Sequence, residues 1–252
     1  MNWQIYIPSY KRAGDVTSHK IFPSAKIVVP ESQLSDYQSH YGGQVVSIPD
    51  DRDGNLAIKR NAILDMAAAD GVEWVLMVDD DYRYVGRITD HSNQNGQQQT
   101  RWLNNDEIET LIDDGCRMAD ELQTGMWGLN VKDDPKFYRE YSPFSLTTPC
   151  LGPWQAVKVS ELRYDETIFL KEDYDFWLQS IRKYRKTLRF QSYHYMVNHQ
   201  TKSGGVVSYR TKQREEEHNQ MLQKKWGRRV VKYDIGKSIN PRVHIPTSRS
   251  DT

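Results

Sequence analysis

The chain has 252 residues, of which 37% are hydrophobic and 11% aromatic, values typical of a folded protein with one sizeable core. No apolar run approaches the roughly 20 residues needed to span a membrane, and the N-terminus lacks the features of a signal peptide. Its two cysteines exclude a disulfide framework and a Cys-rich zinc site. We therefore expect a soluble protein of a reducing cytoplasm, without a membrane partner.

The net charge of zero hides an uneven distribution. Residues 180–252 carry 17 Lys and Arg against 5 Asp and Glu, a net charge of +12, which leaves 17 basic and 29 acidic residues in 1–179. A basic C-terminal region is typical of proteins that bind a polyanion, with nucleic acid first among them. A charged surface helix and tail without any partner would produce the same pattern.

The first 80 residues alternate predicted strands and helices with short connections. Strands are predicted at 3–8, 26–30, 45–49 and 74–78, and helices at 32–41 and 55–69. This order is typical of a parallel sheet covered by helices.

The second part of the chain is less regular. Helices are predicted at 105–122, 171–184 and 209–226, and extended segments at 126–131, 145–159 (with a turn at 152–154) and 188–197. The polar stretch 86–101 lacks periodicity, so we expect a mobile loop there, placed where a lid would sit. We find no internal repeat and no dividing linker, and we expect the tail from Lys237 to run over the surface or to be partly disordered.

The predicted strand at 74–78 ends in three consecutive carboxylates, Asp79, Asp80 and Asp81. Adjacent carboxylates repel one another, and a hard divalent cation bound through oxygen ligands would relieve that repulsion. Alternate side chains of an extended segment share a face, so Asp79 and Asp81 would reach one ion together. Open α/β sheets bind ligands at this end of their strands, although a solvated turn is the alternative.

Four motifs occur in the order found in the GT-A fold glycosyltransferases. They are the loop Pro8-Ser9-Tyr10-Lys11-Arg12, the helical triplet Lys59-Arg60-Asn61, the strand end Asp79-Asp80-Asp81, and the pair Glu172-Asp173 at the start of a helix. The sequence resembles this family, which implies an α/β, Rossmann-like fold with a mixed, mainly parallel sheet flanked by helices, in a single domain over 1–252. Residues 1–82 would form the nucleotide-sugar half, 83–236 the acceptor and catalytic half, and 237–252 a surface tail.

The resemblance also implies a nucleotide-sugar donor, expected to be a UDP-sugar, and a bound Mn²⁺ or Mg²⁺. The donor would contact Pro8, Ser9, Tyr10, Arg12, Glu31, Arg60, Asp79 and Asp80, with Tyr10 near the base and Arg60 on the diphosphate. The metal ligands would be Asp79 and Asp81, completed by a histidine, for which His199 is preferred over His194.

The pair Glu172 and Asp173 is assigned to catalysis by the same resemblance. A carboxylate that takes the acceptor proton assists sugar transfer to a hydroxyl, and we expect Asp173 in that role, with Glu172 binding the acceptor or the sugar. Without the resemblance, both acids would be read as an acidic first turn that complements the helix dipole.

A narrower resemblance concerns the acceptor. The segment Thr201 to Arg210, with its KSGG and YR elements, resembles the TET-associated, phage-type glycosyltransferases, which modify hydroxymethylated pyrimidines in DNA. Lys202, Arg210 and Lys212 would then neutralise DNA phosphates, and the target base would be flipped out of the duplex. Gly152 and Trp154 would line the acceptor side, where Trp154 offers a stacking face or, alternatively, packs in the core.

These observations predict a metal-dependent enzyme that moves a sugar to hydroxymethylcytosine or hydroxymethyluracil in DNA, in the host cytoplasm if a bacteriophage encodes it. Within the same class, the acceptor would instead be a glycan, a lipid carrier or a protein. In a different class, the chain would be a non-catalytic nucleic-acid-binding module that has kept the fold.

Overall fold

The computed structural model describes residues 1–92, 98–131, 138–198, 209–234 and 239–245. These ranges contain five α-helices, α1 (Leu34–Tyr41), α2 (Leu56–Ala69), α3 (Asn105–Glu121), α4 (Glu172–Tyr184) and α5 (Lys212–Trp226). Their strands are β1 (Trp3–Pro8), β2 (Lys26–Pro30), β3 (Val45–Ile48), β4 (Trp74–Val78), β5 (Tyr82–Ser92), β6 (Gln98–Trp102), β7 (Met126–Asn130), β8 (Phe144–Ser145), β9 (Trp154–Lys158), β10 (Leu188–Val197), β11 (Val231–Lys232) and β12 (Arg242–Val243).

One ten-stranded sheet organises the molecule. Its order is β3-β2-β1-β4-β9-β7-β10-β5-β6, and β8 pairs with β10 outside this path. Strands β3, β2, β1 and β4 are parallel, β9 runs antiparallel between β4 and β7, and β10 is parallel to β7. The expected α/β architecture of GT-A, Rossmann-like type, a mixed and mainly parallel sheet flanked by helices, is confirmed.

The two faces of the sheet bury alternate residues of the same strands. Ile5 and Ile7 of β1 pack in a core that includes Ile112 of α3, whereas Tyr6 packs in a second core with Ile63 of α2 and Phe176 of α4. Because both faces are covered, the N-terminal strands are apolar almost throughout. Among the described helices, none has both the length and the apolar character needed to cross a membrane.

Side-chain caps set several helix boundaries. Asn55 caps α2 by accepting a hydrogen bond from the Ile58 N–H, and Asn104 forms a capping box with Glu107 at the start of α3. Ser32 does not cap α1, although it begins the predicted helix, because its backbone N–H and hydroxyl both donate to Asp50. A short 3₁₀ turn therefore precedes α1.

The prediction of a mobile loop at 86–101 is wrong over most of that range. Strands β5 and β6 form an antiparallel hairpin there, with Gly86 opposite Trp102, and Val85 and Ile88 are buried. The polar composition reflects the place of β6 at the end of the sheet, because an edge strand buries fewer of its side chains. The hairpin tip, 93–97, lies outside the described residues.

Candidate active site

A cavity of about 500 Å³ opens where β1 and β4 end and where α2 and α4 begin. Its walls are Pro8, Ser9, Tyr10, Arg12, Asp53, Gly54, Asn55, Leu56, Lys59, Arg60, Asp79, Asp80, Asp81, Gly152, Pro153, Phe169, Leu170, Glu172, Asp173, Tyr209 and Arg210. All four motifs recognised in the sequence therefore meet at one cavity, although they are up to 165 positions apart in the chain.

The backbone of the acidic turn is fixed from two sides. The Ser18 hydroxyl donates to the Asp79 carbonyl over 2.6 Å and accepts from the Tyr82 N–H over 2.9 Å. On the other side, the Asp79 N–H donates to the Pro153 carbonyl over 3.3 Å. Neighbouring loops therefore hold the main chain from which the three carboxylates project.

Asp80 uses both carboxylate oxygens inside the protein. Its Oδ1 is paired with the Arg12 guanidinium, and its Oδ2 accepts a hydrogen bond from the Ser9 hydroxyl over 2.6 Å. Three residues predicted to contact the donor thus bind one another at the cavity wall. This arrangement neutralises Asp80 and stiffens the loop that carries Tyr10.

Asp79 lies close to the two other carboxylates of the triplet. It opens partly onto the cavity but is otherwise surrounded by protein, and this burial raises the pKa of Asp79 to about 7. Arg60 opposes the shift, whereas Asp81 and Asp80 add to it. Excess negative charge therefore remains on this side of the cavity.

The pair Asp79 and Asp81 suits a hard divalent cation, because both line the cavity with carboxylate oxygens and nearby cations do not offset the burial of Asp79. Over the described ranges, no group of three or more His, Cys, Asp or Glu side chains is arranged to hold a metal. The predicted ligand His199 lies outside the described residues. The other candidate, His194, is buried against Gly86 and Thr100 on the hairpin and does not line the cavity.

A buried ion pair that the sequence did not suggest supports the loop after β1. Lys59 Nζ lies 2.6 Å from Asp53 Oδ1 and donates to the Ser9 carbonyl, also over 2.6 Å. The same ammonium lies 5.8 Å from the centroid of the Tyr10 ring. Burial lowers the pKa of Lys59, but the adjacent Asp53 opposes that shift. Lys59 therefore ties the start of α2 to the loop after β1.

Arg60 of α2 connects this helix to two other elements through hydrogen bonds. Its Nη1 donates to Gln155 Oε1 of β9 over 2.8 Å and to Glu172 Oε1 of α4 over 3.1 Å, and the residue is only 2% exposed. We expected Arg60 to pair with a diphosphate. The structure shows the guanidinium engaged with Glu172 at the cavity wall, so its contact with a ligand would be limited to its remaining N–H groups.

Glu172 and Asp173 have different surroundings although they are adjacent. Burial raises the pKa of Glu172, Arg60 opposes the shift, and Asp173 adds to it. Asp173 accepts the Gly152 N–H on Oδ2 over 3.0 Å and the Tyr174 N–H on Oδ1 over 2.8 Å. Glu172 is therefore held by Arg60, whereas Asp173 is oriented by backbone donors beside the Gly152 turn.

Trp154 does not offer the stacking face that we expected. It begins β9, is fully buried, and packs between Phe22 and Trp127 with ring centroids 6.0 Å and 5.7 Å away. The reason is that Trp154 pairs with Val78 in the centre of the sheet. Aromatic side chains do line the cavity, but they are Tyr10, Phe169 and Tyr209.

The remaining predicted residues are dispersed. Glu31 and Lys212 are exposed and do not line the cavity, and Lys202 lies outside the described residues. Arg210 lines the cavity, where its Nε lies 2.7 Å from Glu215 Oε1. The buried Lys171 binds the other oxygen of Glu215 over 2.6 Å. Two cations thus share one carboxylate, which leaves a net positive charge beside the cavity.

Part of the C-terminal positive charge is used inside the protein. Lys225 of α5 pairs with Asp165 over 2.7 Å and with Asp175 over 2.8 Å. Trp226 also donates its indole N–H to Asp175 over 2.7 Å. The uneven charge of the sequence therefore partly serves to attach α5 to α4, which leaves fewer cations for an external polyanion.

Comparison with known proteins gives one match over most of the chain. A sequence profile described as TET-Associated Glycosyltransferase matches residues 3–205, a range that includes all four motifs. Two curated relatives, the beta-glucosyl-HMC-alpha-glucosyl-transferases of Enterobacteria phages T2 and T6, are each 40% identical over 83 residues. That alignment covers 31% of this chain and only 28% of either relative.

Two solved structures are also similar. S. aureus TarS 1–349 is 13% identical with a TM-score of 0.49, and the match covers 88% of this chain and 64% of that one. A putative nucleotide-diphospho-sugar transferase from Desulfovibrio desulfuricans G20 is 11% identical with a TM-score of 0.40, covering 90% of this chain and 98% of that one. Both scores are too low to support an argument about the site.

Proposed function

The chain belongs to the TET-associated glycosyltransferase family, and we propose that it transfers the sugar of a UDP-sugar to the hydroxymethyl group of a modified pyrimidine in DNA. Family membership makes the chain a glycosyltransferase. The observation that carries the proposal is the meeting of Asp79, Asp81 and Asp173 at the cavity that the loop Pro8–Arg12 also lines. The name of the phage relatives specifies beta-glucosyl-HMC, in which the base already carries glucose, so it supports an acceptor built on HMC but not the hydroxymethyl group itself.

Donor binding is assigned to the wall formed by residues 1–82. Here Arg12 is paired with Asp80 and Lys59 with Asp53, while the Lys11 ammonium lies 5.1 Å from the centroid of the Tyr10 ring. An aromatic ring in this position suits a nucleobase, which can stack on it. We therefore place the base beside Tyr10 and the diphosphate towards Asp79 and Asp81, where a cation would balance it.

Asp79 and Asp81 are the residues that would hold Mn²⁺ or Mg²⁺. When bound, the ion supplies a positive charge that stabilises the nucleotide diphosphate as it leaves the sugar. The fit rests on two carboxylates that line the same cavity and on the raised pKa of Asp79, whose burial nearby cations do not offset. Asp80 is not assigned to the ion, because Arg12 and Ser9 already bind its oxygens.

Asp173 is proposed as the base. As the acceptor oxygen bonds to the anomeric carbon and the bond to the diphosphate breaks, Asp173 takes the hydroxyl proton. The Gly152 N–H orients Oδ2 of this carboxylate. Glu172 is less suited to the role because Arg60 binds it 3.1 Å away. We assign Glu172 instead to a structural role, in which it holds Arg60 in the part of the cavity wall between the donor and acceptor sides.

Acceptor binding is assigned to the wall formed by residues 83–236. Phe169 and Tyr209 offer aromatic faces to the cavity, with their ring centroids 5.5 Å apart. A pyrimidine within a duplex would have to be flipped out for its hydroxymethyl group to enter. Arg210 would meet a flanking phosphate, and we keep Lys202 and Lys212 as further phosphate contacts of the same proposal.

The proposal is tested by measuring UDP release with two DNA duplexes of identical sequence, one hydroxymethylated and one unmodified. We expect only the hydroxymethylated duplex to stimulate release, and chelation of divalent metal to stop it. Equal stimulation by both duplexes would contradict the acceptor. Slow UDP release that no DNA affects would still support a glycosyltransferase, with a glycan, a lipid carrier or a protein as its acceptor.

A further inference from the structure

An aromatic stack lies on the outer hairpin of the sheet, away from the cavity. Trp102, the last residue of β6, is 66% exposed, whereas Trp74, Trp127, Trp154 and Trp177 are fully buried. Its ring stacks on Tyr84 of β5 with centroids 4.7 Å apart and planes at 14°. Stacked aromatic rings at the surface offer a flat face on which a further ring can stack.

The stack is held in place from the sheet side. Tyr84 meets the buried His194 edge to face, with centroids 5.9 Å apart. His194 fits because its neighbour Gly86 has no side chain, and a Cβ there would approach the imidazole to 2.7 Å. The Tyr84 ring is therefore packed against both His194 and Trp102 before any partner binds, which reduces the entropy lost on binding.

A cation accompanies the stack. Arg83 is exposed, and its Nη1 lies 3.8 Å from the sulfur of Met196, the residue opposite Tyr84 in β10. Among the ion pairs of the described residues, none involves Arg83. We call Arg83, Tyr84 and Trp102 the Trp102 platform. It combines a flat aromatic face with a guanidinium that pairs with no carboxylate of the described residues.

The platform is connected to the cavity by a single strand. β5 begins at Tyr82, directly after Asp81, and Gly86 of this strand pairs with Trp102. At about 3.3 Å per residue, Trp102 is roughly 16 Å from Asp81 along the strand. Since DNA rises about 3.4 Å per base pair, that separation matches about five base pairs.

We propose that the Trp102 platform binds the DNA that flanks the target base, with a base stacked on Trp102 and a phosphate on Arg83. This inference rests on the proposed function, because it takes DNA as the acceptor. Stacking on an aromatic face tolerates any base, and flipping a nucleotide disrupts the stack around it. DNA uses both features of the platform, whereas an apolar protein surface would leave Arg83 buried without a counter-charge.

The test is fluorescence anisotropy of a labelled, hydroxymethylated oligonucleotide with the full chain. We expect Trp102→Ala to raise the Kd for DNA roughly tenfold, and Trp102→Phe to restore most of the affinity because it keeps a stacking ring. Arg83→Gln should reduce the slope of log Kd against log salt by about 1. Tyr141→Ala is the matched control, since Tyr141 is an 86% exposed aromatic outside the hairpin.

Two results would overturn the proposal. One is an unchanged Kd for DNA in Trp102→Ala. The other is a change of oligomeric state in Trp102→Ala, seen by size-exclusion chromatography with light scattering, which would make the platform a contact between copies of the chain. Weaker DNA binding by Trp102→Ala supports the platform even if the wild-type enzyme transfers no sugar to DNA. Failure of the platform proposal is thus distinguishable from failure of the proposed function.

Discussion

The two walls of the cavity differ in how their charged side chains are paired. On the wall from β1 and the start of α2, Arg12 pairs with Asp80 and Lys59 with Asp53. On the wall where β4 ends and α4 begins lie the four acids Asp79, Asp81, Glu172 and Asp173, and Arg60 pairs with one of them, Glu172, over 3.1 Å. The first wall therefore pairs its charges within the protein, whereas the second concentrates carboxylates that a bound cation would stabilise.

The largest effect is expected from removing a carboxylate on the acid-rich wall. Asp81→Ala should leave no measurable metal-dependent UDP release, a loss of at least about 100-fold, because charge stabilisation by a metal contributes several kcal/mol. Thermal unfolding should show that the fold is kept. The matched control is Asp80→Asn, whose oxygens serve Arg12 and Ser9, and which should weaken donor binding more than turnover. Full activity of Asp81→Ala would remove the metal assignment.

Replacing the proposed base should act on the chemical step. Asp173→Asn is expected to lower kcat by about 10²–10⁴-fold while KM for the donor changes little, because a general base acts mainly in the transition state. Steady-state kinetics with saturating acceptor separates the two parameters. A raised KM with normal kcat would instead identify Asp173 as a binding residue.

Breaking an ion pair on the wall from β1 and the start of α2 should lower the stability of the protein. Lys59→Met leaves Asp53 buried without its cation and should destabilise the fold by about 3–5 kcal/mol, as expected for breaking one side of a buried pair. Chemical denaturation measures the loss. The double variant Lys59→Met with Asp53→Leu should recover most of it, since no unpaired charge remains. If the single variant is as stable as wild type, the pair does not hold this wall in place.

The smallest effect concerns the pH dependence of stability. The Asp79 carboxyl ionises near 3.8 when unfolded and near pH 7 when folded, so the unfolded state releases its proton first and stability falls as pH rises between these values. Asp79→Asn should therefore stabilise the metal-free protein at pH 8, by on the order of 2 kcal/mol, and have little effect at pH 4. Thermal unfolding at both pH values measures this. Equal effects at both would contradict the raised pKa.

The elements that the sequence predicted well are those whose periodicity is strong. β1, β2 and β4 have their predicted bounds because short apolar runs end at prolines or acids, and α2 differs by one residue because Asn55 is its cap. The motifs also predicted which segments meet at the cavity. Their order along an alternating α/β chain places them at the same edge of the sheet.

The pairing of charges was not predictable in the same way. Whether Arg60 faces a ligand or Glu172 depends on how α2 and α4 pack, and these residues are 112 positions apart. Lys59 and Asp53 meet across the start of a helix, which no helical periodicity indicates. The burial of Trp154 was left open by the sequence, and the hairpin of β5 and β6 was missed, because burial in a sheet depends on neighbouring strands rather than on local composition.

The most direct test of the account is mass spectrometry of nucleosides from DNA incubated with the enzyme. The DNA would contain 5-hydroxymethylcytosine or 5-hydroxymethyluracil, with Mn²⁺ and a panel of UDP-sugars. We expect a hexose or pentose mass added to one of the modified bases, and no addition when Asp81→Ala or Asp173→Asn replaces the wild type. Unmodified nucleosides in every reaction, alongside donor hydrolysis that requires both aspartates, would show that the cavity transfers sugar to something other than DNA.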